Sequence, residues 1–522
     1  MPTMTTFRSC FPMLVMALAM SAQTVTAQGG RNRGARGARV APDDVTVILG
    51  RPTDRSIVAN VLSPRDAAVV VEFGASPTAL TRAVRATLAA GVPSEITVDR
   101  LAPNNRYHYR VSIDGSPVTA PTASFMTQRS PGSTFSFGVQ GDSHPERAGR
   151  MFDDELYRRT MTRVAGEGPD FYITLGDDFS IEALISQQRL SSATVNAVYA
   201  NQRRYLGIVG QSSPLFLVNG NHEEAARFLL DGTPTSAPVL AGRARTSFYS
   251  LPAPDGFYTG NTEPVEHLGL PRDYYAWTWG DALFVAIDPY WHSGVQVDAA
   301  PGGGGGSRAG GTRGGESRRG ENRGGRRNGG GGGNAMQASC IGRDLWNITL
   351  GDTQYAWLKK TLEDSRATYK FVFAHHVMGT GRGAIEMADF YEWGGRDRNG
   401  VDRFREKRPT WDLPIHQLFV KTGVTIFFQG HDHLFARQEK DGVIYQETPN
   451  PADATYQAFN REAYRSGDIL PNAGHLRVTV SPREATVEYI RSFLPKDENT
   501  TSKDGTVAFS YTVKPRGPVS HF

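Results

Sequence analysis

Val424-Thr-Ile-Phe-Phe-Gln-Gly430-His431-Asp432-His433 runs from a block of β-branched and aromatic residues into a glycine and two histidines. Residues 424–428 have the composition of a buried strand. Before them, Asp412-Leu-Pro-Ile-His-Gln-Leu-Phe-Val-Lys-Thr-Gly423 reads as a short helix. Asp412 is its candidate N-cap, Ile415, Leu418 and Phe419 share one face, and Gly423 suits the C-terminal cap. In extended backbone, residues i and i+2 point the same way. His431 and His433 are therefore expected to aim both imidazoles into one pocket, which asks for a metal ion. An H-x-H pair at a strand end carries little weight alone.

Four earlier apolar runs end in the same manner. Phe135-Ser-Phe-Gly-Val139 leads to Gly141-Asp142-Ser143-His144, and Phe171-Tyr-Ile-Thr-Leu175 leads to Gly176-Asp177-Asp178. Leu215-Phe-Leu-Val218 leads to Gly220-Asn221-His222-Glu223. Tyr369-Lys-Phe-Val-Phe373 leads, past Ala374, to His375-His376. Ligands collect at the carboxyl ends of strands in open α/β sheets, so the five ends are expected to converge. Taken singly, Asp142 and Asn221 fit turn residues and His375 a core histidine; five such ends in one chain do not. Six of the chain's 12 histidines lie in these motifs, and His108, His267, His292, His416, His475 and His521 read as structural or surface residues. Asp, Asn and His without thiolate suit hard or borderline ions such as Mn, Fe or Zn. The candidates are too many for one ion and fit two that share a carboxylate, the arrangement that clamps an in-line displacement at phosphorus. Asp178 and Glu223 read as residues that orient their neighbours.

The 522 residues exceed one ordinary domain, and 39% hydrophobic with 21% charged residues is a globular balance. Arg8 before an apolar run over 11–20, with Val25-Thr-Ala27 ahead of Gln28, reads as an export signal over 1–27. The run is too short to span a bilayer and no longer one follows, so a periplasmic or extracellular protein is expected, with an uncleaved anchor as the lesser alternative. Of two cysteines, Cys10 lies in the signal and Cys340 stands alone, which excludes an internal disulfide and a thiolate metal cage. The net charge of +4 includes +5 from residues 301–334, four leader arginines within 28–41 and Arg8, leaving −6 for the remainder.

Residues 42–130 read as all-β. Ile57 to Leu62 and Ala68 to Phe73 are apolar runs, 94–98 alternates, and Tyr107, Tyr109, Val111 and Ile113 alternate with polar neighbours. From Thr134 strands alternate with helical stretches, which implies an α/β domain over 131–515. Residues 353–362 form an amphipathic helix through Tyr355, Leu358 and Leu362, and after Gly442 four strand-like runs suffice for a second sheet. Residues 301–334 hold 17 of the 57 glycines and are expected to be a disordered insertion. That insertion has no aromatic residue to stack on bases, so a solvated loop is favoured over a nucleic-acid contact.

The ordered set GDxH, GD, GNHE, H and GHxH resembles the calcineurin-like metallophosphoesterase superfamily. Leu101-Ala-Pro103-Asn-Asn-Arg-Tyr107 resembles the tyrosine corner of fibronectin type III domains. A fibronectin-like domain before the catalytic one resembles the purple acid phosphatase branch. The resemblance implies a four-layer αββα sandwich and a phosphate monoester hydrolase in which a metal-bridging hydroxide attacks phosphorus. By position it implies that Asp142, His144 and His433 bind one metal, Asn221, His375 and His431 the second, and that Asp177 bridges. It gives His222 a phosphate-contacting or acid role, and His376 either a place behind the ligand His375 or a contact to phosphate. The tyrosine that colours purple members is replaced by Ser180 here, so no tyrosinate colour is expected. Two rival readings are a diesterase or nuclease using the same site, and a non-catalytic binding protein using the β-domain or the Arg/Gly loop.

Overall fold

The computed structural model of the chain describes residues 44–121, 123–295, 345–377 and 382–515. The expected signal, leader and glycine-rich insertion lie outside the described residues, as do Cys340 and His521. Among the described residues no helix is long and apolar enough to cross a membrane.

Two small antiparallel sheets come first. Thr46–Gly50, Ile57–Leu62 and Ser94–Val98 form one, and Arg82–Leu88, Ala67–Gly74, Arg106–Ile113, Ser116–Pro117 and Ser124–Met126 form the other. Val61, Val71, Tyr109 and Val111 are buried between them in a core of their own, as the alternation predicts. The Tyr107 hydroxyl accepts the backbone N–H of Ala102 at 2.9 Å, closing the expected corner. This β-sandwich packs on the helix Ser192–Gly210 through Ile48 and through the buried Arg203. That guanidinium donates to Thr46 Oγ1 at 2.7 Å, to Asn60 Oδ1 and Asn60 O at 2.9 Å, and to the Phe248 carbonyl.

Beyond residue 134 two larger sheets stack face to face. One has six strands in the order Leu215–Leu217, Tyr172–Thr174, Phe135–Gln140, Gly474–Val480, Ala485–Arg491 and Val507–Val513. The other has eight, with Ala282–Ala286, Tyr369–Phe373, Ile426–Gln429 and Val443–Glu447 side by side and parallel at its centre. The seam is aromatic: Phe137 of the first sheet meets Phe284 of the second at 5.1 Å and Phe428 at 6.3 Å between ring centroids. Each ring so buried contributes roughly 1.5–3 kcal/mol.

Helices cover both outer faces and complete four αββα layers. Asp154–Glu167, Ser192–Gly210 and Ala237–Phe248 cover the six-stranded sheet, while Gly351–Asp364 and Ile415–Thr422 cover the eight-stranded one. Asp153 caps the first by accepting Leu156 N–H at 2.9 Å, and Gly168 ends it with φ 63. Tyr355, Leu358 and Leu362 are buried along Gly351–Asp364, as their spacing predicts.

Two expectations are corrected. The helix before the histidine pair starts at Ile415, after Pro414 and with no side-chain cap, because proline rather than Asp412 fixes its first turn. The runs after Gly442 do not make a sheet of their own. Val443–Glu447 joins the eight-stranded sheet beside Ile426–Gln429, whereas Gly474–Val480 inserts beside Phe135–Gln140 in the other.

Candidate metal centre

The five strand ends converge from two sheets rather than one. Phe135–Gln140, Tyr172–Thr174 and Leu215–Leu217 run parallel in the first sheet, and Tyr369–Phe373 and Ile426–Gln429 run parallel in the second. The sheets face each other, so their carboxyl edges meet at one rim.

Tight turns carry each strand into the rim. Gly176 has φ 100, and a Cβ there would lie 2.3 Å from Gly220 N, so the second and third loops approach only because both are glycine. The turn residues His144, Asp177, His431 and His433 all have positive φ, at 48°, 58°, 79° and 53°. Non-glycine residues adopt that region at a cost and cluster there at functional sites. His431 and His433 thus lie past the end of their strand in left-handed turns. Their convergence comes from the turn and not from the extended backbone the sequence suggested.

All seven expected donors meet. The ligand atoms of Asp142, His144 and His433 lie within 4.8 Å of one another, as do those of Asp142, Asp177, His375 and His431. His433 Nε2 lies 2.9 Å from Asp142 Oδ2, and Asn221 Oδ1 lies 3.1 Å from His375 Nε2. Asp177 Oδ2 stands between the groups, 3.2 Å from His375 Nε2 and 3.6 Å from His144 Nε2. His375 Nδ1 donates to the Leu175 carbonyl at 2.8 Å, which turns Nε2 into the pocket.

These donors fit cations. His144 Nε2 faces His433 Nε2 at 3.1 Å, and His431 Nδ1 faces His375 Nε2 at 3.1 Å. Imidazole nitrogens turned toward each other across a pocket that also holds Asp142 and Asp177 form a donor set a cation can occupy. Burial opposes charge throughout, yet His375 and His433 beside Asp142 hold its carboxyl well below the usual range. Burial lowers His375 too, but Asp177 and Asp142 raise it to about 10. Burial takes His433 down to about 4, leaving a neutral ring. The set is all nitrogen and oxygen, which suits Mn, Fe or Zn.

The supporting residues surround this pocket. Glu223 accepts backbone N–H groups of Gly220 at 2.6 Å, Asp177 at 3.0 Å, Asp178 at 2.9 Å and Phe179 at 3.0 Å. Asp178 Oδ1 accepts Ser143 Oγ at 2.5 Å and Gln140 Nε2 at 3.0 Å. Both orient neighbours, as expected. His222 donates its backbone N–H to Asp177 Oδ1 at 3.0 Å and places Nε2 3.7 Å from Asp177 Oδ2. His376 packs against His431 at 4.9 Å and Tyr290 at 5.6 Å between centroids. His416 and His475 lie elsewhere, bonded to Tyr445 Oη and Glu167 respectively. A shallow cleft opens beside the donors, lined by Asn221, Glu224, Phe228, Tyr290 and Val295.

Sequence reading missed Glu146, Arg147, Glu182 and Asp432. Arg147 Nη2 lies 3.0 Å from His222 Nε2, and Asp432 accepts Gly383 N at 3.0 Å and Tyr464 Oη at 2.7 Å. Pro145, which opens a turn straight after His144, is the signal that could have drawn attention to Glu146 and Arg147.

The αββα sandwich brings two groups of buried metal-type donors to one rim, the arrangement of a metallophosphoesterase fold. The chain belongs to the calcineurin-like phosphoesterase family, which matches residues 135–435. It is similar to tartrate-resistant acid phosphatase type 5 of the rabbit, Oryctolagus cuniculus, at 29% identity over 158 residues. That stretch covers 28% of this chain and 41% of the relative's length. Among solved structures, PhoD is similar with a TM-score of 0.57 and 14% identity over 90% of each chain. The purple acid phosphatase PPD1 from yellow lupin (Lupinus luteus) seeds has a TM-score of 0.53 and 14% identity, over 91% of this chain and 75% of that one. At such identities these two likenesses show the fold.

Proposed function

We propose that this protein is an exported phosphomonoesterase working with two metal ions. The observation that carries the reading is Asp177 Oδ2, which stands within 3.6 Å of a nitrogen from each donor group. Asp142, His144 and His433 would hold one ion, Asn221, His375 and His431 the other, and Asp177 both. Bound there, the pair supplies an activated water and Lewis-acid stabilisation of the phosphoryl oxygens.

The chain's own residues do the rest. His222, anchored through its backbone to Asp177 Oδ1, stands at the rim to contact phosphate and protonate the departing alcohol. His376, held by Val377 O at 3.0 Å, backs His431 and contacts phosphate. The cleft walled by Phe228 and Tyr290 takes the alcohol portion. Ser180 replaces the tyrosine of purple members, so the loaded protein lacks a tyrosinate absorption band.

Residues 42–130 serve as a fibronectin type III-like scaffold, a reading supported by their separate core and the Tyr107 corner. Residues 131–515 form the phosphoesterase domain. Export rests on Arg8 and the apolar run after it.

Protein loaded with Mn, Fe or Zn is expected to hydrolyse 4-nitrophenyl phosphate. Asp177→Asn is expected to lose metal and turnover together. Undiminished turnover in that variant would refute the bridging role.

A further inference from the structure

Arg147 ends the short turn Pro145–Arg147 and reaches over the donor groups. Its Nη2 lies 3.0 Å from His222 Nε2, and the His222 ring packs edge-on against His144 at 5.1 Å between centroids. Arginine only donates, so His222 Nε2 is the acceptor in this contact, while its Nδ1 lies 2.9 Å from Glu182 Oε2.

The other contacts of the guanidinium are weak or shared. Nη1 meets Met151 Sδ at 3.6 Å, a poor acceptor. Nε lies 3.3 Å from Glu146 Oε1, an oxygen already engaged by His144 Nδ1 at 2.9 Å. The side chain keeps 26% of its surface open to solvent. A planar, permanently charged fork is thus held at the mouth of the pocket by a ring nitrogen, a thioether and a shared carboxylate oxygen. Phosphate oxygens match such a fork far better.

We propose that Arg147 binds a phosphoryl oxygen of the substrate and makes the site selective for monoesters over diesters; this rests on the phosphoesterase reading above. A phosphate monoester carries three non-bridging oxygens and about two negative charges near neutral pH. A diester has one fewer of each, and the oxygen it loses to the second alcohol is the one available to a guanidinium beyond the metals. On substrate binding the guanidinium leaves His222 Nε2 for that oxygen, which frees the ring nitrogen to carry the proton its role toward the departing alcohol requires. Glu146, between His144 and Arg147, keeps the arm aimed at the pocket.

The test compares metal-loaded wild type, Arg147→Ala and Arg147→Lys on 4-nitrophenyl phosphate and bis(4-nitrophenyl) phosphate. Metal content and calorimetric binding of inorganic phosphate are measured alongside. Arg147→Ala is expected to keep its metal, to lose roughly ten- to a hundredfold in kcat/KM for the monoester and to bind phosphate correspondingly more weakly. The diester rate stays close to wild type, and Arg147→Lys recovers part of the loss. Equal losses on both esters, or loss of metal in Arg147→Ala, would overturn the proposal. If wild type cleaves neither ester, the phosphoesterase reading falls; phosphate binding still judges Arg147, because unchanged affinity in Arg147→Ala overturns its role.

Discussion

Glu223 Oε2 accepts the backbone N–H of Asp177 at 3.0 Å, and the same carboxylate takes three further backbone donors from the second and third strand ends. Four charge-assisted bonds to one acid lock the loop that carries the central donor against the loop that carries Asn221 and His222.

Glu223→Gln keeps the shape and replaces one acceptor oxygen by an amide that faces backbone donors. The loops then spread, and metal affinity is expected to fall by roughly ten- to a hundredfold. Titration calorimetry with Zn on wild type and variant measures this. Equal affinities would mean that the two loops hold their place without the acid.

Asp273 supplies a test of pH dependence away from the donors. Burial, and then the neighbouring Asp288, raise its carboxyl to about 7, against about 3.9 in an unfolded chain. Between those values the unfolded chain has released a proton that the folded one keeps. The group's contribution to stability is therefore full below about 3.9 and is lost as pH rises through about 7. Asp273→Asn keeps an acceptor for Asn261 Nδ2, now 2.7 Å away, and removes the titration. From pH 5 to pH 8 the wild type is expected to lose about 2–3 kcal/mol relative to the variant. Denaturant unfolding of both at the two pH values reads the difference.

Arg203 joins the β-sandwich to the helix Ser192–Gly210 with no carboxylate among its hydrogen-bond partners in the described residues. Burial lowers its guanidinium to about 10. Arg203→Met fills much of the volume but leaves the Thr46, Asn60 and Phe248 carbonyls unpaired. A cost of about 2–4 kcal/mol is expected, with faster protease cleavage between residues 126 and 135. Wild-type cleavage in the variant would show that the sandwich docks without this residue.

Much of the architecture was legible because burial on one face writes a period into the chain. Arg106–Ile113, Tyr369–Phe373 and Val507–Val513 fall where the apolar pattern places them. The site was legible for a different reason: each apolar strand ends in a small residue and a donor, and the spacing of those ends survives in the sequence. Sheet membership was not legible, since Val443–Glu447 and Gly474–Val480 read alike yet pair in different sheets. Nor was the backbone of His431 and His433, whose left-handed turns are imposed by packing at the rim and break no sequence pattern. Arg147 and Arg203 look like ordinary surface arginines in sequence. Their partners, His222 and Thr46, are 75 and 157 residues away.

Metal stoichiometry tests the central claim most directly. Elemental analysis of the purified protein, after saturation and removal of free ions, is expected to find two ions per chain in the wild type. His433→Ala and His375→Ala are each expected to keep about one, because each removes a donor from only one group. A wild type that holds a single ion, or none, would contradict the account.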